Sequence, residues 1–175
     1  PPPAGVQQPV LAVAGGEAAG PVVTVQGLPL VKPPYGSITA YDMNKGDILW
    51  ESALGNGPRN HPLLRNLKLP PLGDNIKRPG VLVTKTLLFV SVQRHESLGN
   101  YVPARWEQYG DPDMNQKLIF VFDKKTGKLL RELKFDGLSA APPMTYLYRG
   151  KQYIVTAAGS AETSELVALS LPVKR

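Results

Sequence analysis

The sequence contains no cysteine, which excludes a disulfide framework and any thiolate-bound metal. That absence leaves the compartment open, because cytosolic and periplasmic chains alike can do without cysteine. Long apolar runs are missing too. The longest lie near Val10 to Ala14 and Thr86 to Val92, well short of the roughly 18 to 20 residues of a membrane helix. Charged residues are only 19%, and 20 Lys and Arg against 14 Asp and Glu give a formal charge of +6. No window of eight residues is densely basic, so the stripe or cluster that marks a nucleic-acid interface is lacking. The charge reads as a basic, solvated surface. Helical periodicity is also absent: no segment sustains the i, i+3, i+4 pattern beyond two turns. Residues 61–67 and 104–109 are expected to make short helical turns at most. The opening PPPAGVQQPV has no basic region and no initiator Met, so it is not an intact signal peptide. The chain is expected to be processed, trimmed or part of something longer.

What the sequence does have is turn chemistry and short apolar runs. Glycine (17) and proline (18) together supply one residue in five, while hydrophobic residues reach 42%. That is too apolar for disorder and too rich in helix breakers for a bundle. Residues 1–20 are Pro, Ala, Gly and Gln with little to pack, a flexible lead-in. Residues 21–175 alternate short β-branched and aromatic runs with Gly, Pro, Asn and Asp. Strands are expected at 22–25, 37–41, 48–53, 81–83, 87–92, 118–122, 129–135, 144–148, 153–157 and 166–171. The chain reads as all-β.

A repeat organises these strands. SITAYDMNKGDILWESAL, residues 37–54, lies over LIFVFDKKTGKLLRELKF, residues 118–135. Asp42 falls on Asp123, Gly46 on Gly127 and Leu49 on Leu130, all at an offset of 81. Each copy is a strand ending in Asp, a tight turn with Gly at a positive-φ position, and a return strand. The offset is about twice the usual length of a four-stranded propeller blade. One further hairpin, Gly80 to Val92, and two long irregular stretches, 54–79 and 93–117, fill the interval. A third hairpin turning at Arg149 and Gly150 follows, then a last strand. The expected order is therefore an outer strand pair, one complete blade and three strands of a final blade. Such an arc cannot close a ring and leaves sheet edges and faces bare.

PPYGSITAYDMNKGDILW, NHPLL, LVTKTLLF, PMTYLYRGKQYIVTAAG and ELVALSLP occur in that order over residues 27–172. Together they resemble the C-terminal end of quinoprotein dehydrogenases, in the glucose-dehydrogenase-type branch that uses pyrroloquinoline quinone (PQQ). The resemblance implies an eight-bladed β-propeller locked by tryptophan docking motifs. Ala40, Asp42, Gly46 and Trp50 match that motif, whereas Val121 and Arg131 replace its Ala and Trp in the second copy. It also implies oxidation of a sugar or alcohol by hydride transfer to the quinone, with Ca²⁺ beside it. In this family the catalytic Asp and the metal ligands come from earlier blades, so none is assigned here. The chain is then expected to be inactive alone and to complete its propeller with another polypeptide or an upstream segment. A periplasmic location and an electron acceptor such as a quinone or cytochrome follow from the same resemblance. The competing reading is a propeller scaffold or assembly factor that has lost PQQ.

On this reading the loops 54–79, 93–117, 136–142 and 158–164 face the cofactor, and the first two are long enough to carry function. They hold the candidate cofactor-binding residues Asn60, His61, Arg94, His95, Arg105 and Trp106. Arg, Asn and backbone N–H groups suit the acids of a planar tricarboxylate, and a Trp face suits its rings. For His61 a structural contact within the loop is the alternative. The 93–117 loop is longer than the family's, and the GSAETSE connection lacks its Gly-rich character. Other chemistry is ruled out by pattern. His95-Glu96 lacks the second His of a zinc-protease helix. The 111–122 stretch lacks the Gly and terminal Glu of a calcium loop.

Overall fold

Short runs of β-branched and aromatic residues build the longer strands of the described chain. In a computed structural model, residues 24–74, 79–92, 117–134, 138–139, 142–159 and 164–171 are described. Their strands are β1 (Thr24–Val25), β2 (Leu28–Pro29), β3 (Ser37–Tyr41), β4 (Ile48–Ala53), β5 (Gly80–Val83) and β6 (Leu87–Ser91). β7 (Lys117–Asp123), β8 (Leu129–Lys134), β9 (Leu138–Ser139), β10 (Met144–Tyr148), β11 (Lys151–Gly159) and β12 (Ser164–Ser170) follow. All pairings are antiparallel. The all-β expectation holds, and no α-helix occurs among the described residues.

Four sheets result: β1–β2, β3–β4, the meander β5–β6–β7–β8, and β10–β11–β12 with β9 beside β11. Ala158 and Gly159 of β11 pair with β12 on one side and with β9 on the other. β9 and β10 thus occupy successive stretches of one edge of β11. The β10–β11 turn has Arg149 at φ 48° and Gly150 at φ 73°. Two successive positive φ values are what a two-residue hairpin turn needs to match strand twist.

The middle strands of the central meander, β6 and β7, are buried on both faces, which explains why LLFVS and KLIFVFD read as nearly continuous apolar runs rather than alternating ones. Leu88, Val90, Phe120 and Phe122 point one way, packing with Leu54, Val92, Ile38 and Trp50 against β3–β4. Phe89, Ile119 and Val121 point the other way, packing with Ile154, Ala158, Val167 and Leu169 of the last sheet. Each fully buried Phe or Val contributes about 1.5 to 3 kcal/mol. The two outer sheets keep apolar outer faces in solvent. Tyr41, Ile48 and Leu49 are exposed on β3–β4, and Met144, Tyr146 and Leu166 on the last sheet.

The sequence repeat is a structural repeat down to its register. Ala40 pairs with Trp50, Val121 pairs with Arg131, and both ladders slip by a bulge just after the Ala and the Val. Asp42 accepts the Gly46 N–H at its carbonyl, and Asp123 accepts that of Gly127. Each Asp carboxylate also takes backbone N–H groups of its own turn, from Asn44 in one copy and from Lys125 and Thr126 in the other. The copies differ above the turn glycine. The Trp50 indole N–H donates to the Lys124 carbonyl (3.0 Å), and the Ser52 hydroxyl donates to that of Gly127. A Cβ on Gly127 would clash with the Trp50 ring and the Ser52 hydroxyl, whereas one on Gly46 would meet nothing within 4 Å. Gly127 is thus fixed twice, by φ +70° and by an indole lying on its backbone.

Candidate functional site

The first long loop is rooted in a backbone ladder rather than in side chains. Leu72 N–H donates to the Asn56 carbonyl, Gly73 to Gly55 and Asp74 to Leu54, while Leu54 N–H reaches Gly36 and Tyr35 N–H reaches Leu72. The approach is so close that a Cβ on Gly73 would overlap the backbone of Gly36. Gly73 also sits at φ +78°, so only glycine fits. The Asp74 carboxylate accepts the Gly57 N–H (3.1 Å) and ties the outgoing limb to the returning one.

Beyond the root the chain runs through consecutive tight turns held by His61. Its N–H donates to the Pro58 carbonyl, and its own carbonyl accepts from Leu64 and Arg65. The residue is 4% exposed. Nδ1 accepts the Leu63 N–H (3.2 Å), which leaves Nε2 as the protonated nitrogen, 3.1 Å from the Gln26 carbonyl. His61 therefore joins the 58–67 turns to the β1–β2 hairpin, the structural contact weighed above as its alternative role.

These turns place Asn56, Arg59, Asn60, Leu64, Arg65, Lys68 and Leu69 around one hollow of about 440 Å³, within the size range of small-ligand sites. Arg59 is oriented by an Nη1–H bond to the Asn56 side-chain carbonyl (3.1 Å). Lys68 adopts φ 50°, a left-handed conformation uncommon outside glycine. It redirects the chain after Leu67. Three cations, two carboxamides and two leucines thus line a mainly polar hollow, and none of the described lining residues is an acid. Such a hollow favours an anion, and the charge-assisted donors of Arg and Lys would hold a carboxylate or phosphate. Among the described residues there is no grouping of three or more His, Cys, Asp or Glu able to hold a metal.

Of the sequence-stated candidates, Asn60 lines the hollow and His61 lies beneath the turns instead. Arg94, His95, Arg105 and Trp106 fall outside the described residues. Arg65 and Lys68 escaped the sequence reading. They are six and nine residues from Arg59 in a stretch without periodicity, and no spacing rule joins them. Two other groups are shifted by their surroundings. Burial pushes the Tyr35 phenol up. The Thr126 hydroxyl, then the Thr126 and Lys125 backbone N–H groups, hold the Asp123 carboxyl below its usual range.

Residues 4–154 match the family model described as PQQ: Glucose/ethanol/alcohol dehydrogenase, beta-propeller domain. Quinoprotein glucose dehydrogenase of Escherichia coli (strain K12) is 27% identical over 158 residues, 87% of this chain and 17% of that protein. The glycerol dehydrogenase large subunit of Gluconobacter thailandicus is 30% identical over 149 residues, 81% of this chain and 17% of that protein. Quinate/shikimate dehydrogenase (quinone) of Acinetobacter baylyi (strain ATCC 33305 / BD413 / ADP1) is 28% identical over 146 residues, 79% of this chain and 15% of that protein. The chain thus spans about a sixth of the length of the curated relatives it matches. No solved structure gives a significant match.

Proposed function

The chain belongs to the PQQ glucose/ethanol/alcohol dehydrogenase β-propeller family, and from that premise we propose that it is a C-terminal portion of a PQQ-dependent dehydrogenase. The whole protein oxidises a sugar or other alcohol, and this portion completes its propeller with an upstream segment or another chain. The observation that carries the reading is the pair of turn glycines. Gly127 is covered by Trp50 of the preceding hairpin, and Gly46, its counterpart in the repeat, has open space where that indole would lie. A preceding blade that brings a Trp to Gly46 would repeat the contact seen once here, in the manner of a tryptophan docking motif. The exposed Tyr41, Ile48 and Leu49 on one flank and Met144, Tyr146 and Leu166 on the other are the surfaces that neighbouring blades of an eight-bladed ring would cover.

In the whole protein, PQQ would supply the acceptor for the hydride of the substrate carbon and Ca²⁺ the Lewis acid beside it. The hollow of the 54–74 loop has donors for carboxylates but no aromatic ring against which a flat quinone would stack. By the family resemblance, the cofactor and Ca²⁺ are held mainly by blades outside this chain. Asn60, Arg94, His95, Arg105 and Trp106 are the proposed cofactor contacts of this chain, and His61 keeps the loop in position. No proton transfer is assigned to the described residues. The protein works in the periplasm and passes electrons to a quinone or cytochrome. The test is to purify the chain with the polypeptides that accompany it, add PQQ and Ca²⁺, and follow dye reduction by sugars and alcohols. Turnover by the assembly and none by the chain alone is expected. An assembly that binds no PQQ would overturn the reading in favour of a scaffold.

A further inference from the structure

We infer that Asn56 is a self-modification site, where the chain converts its own Asn56-Gly57 link into a succinimide and then into aspartate or isoaspartate. Asn56 is the only asparagine in the sequence that a glycine follows. Glycine has no side chain to keep its nitrogen from the neighbouring carboxamide. At this link the fold also supplies the two groups that the reaction needs. The Asp74 carboxylate accepts the Gly57 N–H at 3.1 Å, the place of a base for that proton. The Arg59 Nη1–H donates to the Asn56 carboxamide at 3.1 Å, where the charge of a tetrahedral intermediate develops. A guanidinium only donates, so the atom that faces it is the carboxamide oxygen. The bond to Asp74 lies in the amide plane of Gly57, whereas attack on the carboxamide uses the orbital perpendicular to that plane.

The Gly57 nitrogen bonds to the Asn56 Cγ as its proton passes to Asp74, and the carboxamide oxygen takes the negative charge beside Arg59. The bond from Cγ to Nδ2 then breaks, Asp74 returns the proton, and ammonia leaves. Water opens the ring in a second step. Attack at Cγ gives aspartate, and attack at the former main-chain carbonyl gives isoaspartate. Asn56 lines the hollow and is only half-buried, so water reaches the ring. Either product sets a carboxylate against the Arg59 guanidinium in place of a carboxamide. Isoaspartate also adds a methylene to the main chain at the residue whose carbonyl holds the Leu72 N–H, which loosens the root of the loop. A side chain at Gly57 would strike the Gly73 carbonyl and Leu72, so replacing this glycine cannot protect the link. None of this chemistry requires PQQ.

The full chain is kept in warm neutral buffer, sampled over days, digested with trypsin and read by mass spectrometry. The tryptic peptide of residues 46–59 has Asn56 as its only carboxamide, so a gain of one mass unit there reports the reaction. A synthetic peptide of the same residues keeps the Asn-Gly link and Arg59 but lacks Asp74. The folded chain is expected to react at least about threefold faster than this peptide, because its groups are held in place. Its rate should stay nearly flat across neutral pH, where Asp74 takes the proton, while that of the peptide climbs with hydroxide. Asp74→Asn keeps an acceptor for the Gly57 N–H but removes the base. It is expected to slow the reaction about tenfold and to restore the rise with pH. Arg59→Met, whose peptide runs on to Arg65, should slow it about three- to tenfold, with fragmentation placing the change at Asn56. Unchanged melting curves would show that the variants fold. Should either variant melt early, the rate and pH profile of the parent chain against the peptide decide alone. A folded chain that reacts more slowly than the peptide, or whose rate climbs with pH as steeply, would overturn the inference. So would a folded Asp74→Asn chain that reacts as fast as the parent.

Discussion

Replacing Trp50 by Ala tests the contact that joins the first hairpin to the central meander. A large aromatic buries roughly 150 to 250 Å², and Trp50 is partly rather than fully covered, so about 150 Å² is a fair share. At about 25 cal/mol per Å² that is close to 4 kcal/mol. The indole N–H bond to the Lys124 carbonyl adds about 1 kcal/mol. Partial collapse of neighbours returns some of this, so a loss of about 3 to 5 kcal/mol is expected, as in large-to-small core substitutions. Arg131 occupies the same place in the second copy but is exposed, and Arg131→Ala should cost less than about 1 kcal/mol. Urea unfolding followed by far-UV circular dichroism measures both on the full chain. Gly127→Ala sharpens the test. In the parent chain its Cβ meets both the indole and the unfavourable φ of +70°. In the Trp50→Ala background the clash with the indole is gone, leaving the contact with the Ser52 hydroxyl and a φ penalty of about 1 to 2 kcal/mol. A double-mutant cycle should therefore give a coupling above about 0.5 kcal/mol. Equal destabilisation by Trp50→Ala and Arg131→Ala, or a coupling near zero, would refute the packing assigned to this pair.

His61→Ala removes the ring that accepts from Leu63 N–H and reaches the Gln26 carbonyl. It should lower stability by about 1 to 3 kcal/mol and speed amide exchange at Leu64 and Arg65 more than in the β6–β7 ladder. Unchanged exchange there would refute its anchoring role. Asp123 has a folded pKa below that of the unfolded chain, first through the Thr126 hydroxyl bond. Its stabilisation is therefore present above the unfolded carboxylate range and disappears as pH falls through the folded value. Asp123→Asn should be less stable than the parent near neutral pH, with the difference narrowing below the ordinary Asp value of 3.8. A gap that widens on acidification would contradict this assignment.

Much of the fold was legible because a strand writes its burial into its own sequence. The short apolar runs at 87–92 and 118–122 marked strands, and the Asp-to-Gly turns at 42–46 and 123–127 marked two hairpins at a spacing of 81. Local chemistry suffices there, since a glycine at positive φ and a carboxylate capping its own turn need no distant partner. The partners of Trp50 were not legible. Its acceptor is 74 residues away, and only the stacking of two sheets brings the Lys124 carbonyl beneath the indole. The hollow was legible in part: the loop length and Asn60 marked the place, but Arg65 and Lys68 carried no signal. They meet Arg59 because the glycine-lined root closes and His61 takes hold of the Gln26 carbonyl 35 residues earlier. Sequence spacing sets direction within a strand, where the period is fixed at two. In a loop without a period, side chains converge only where long-range contacts bend the backbone, and so the tertiary structure alone decided which cations share the hollow.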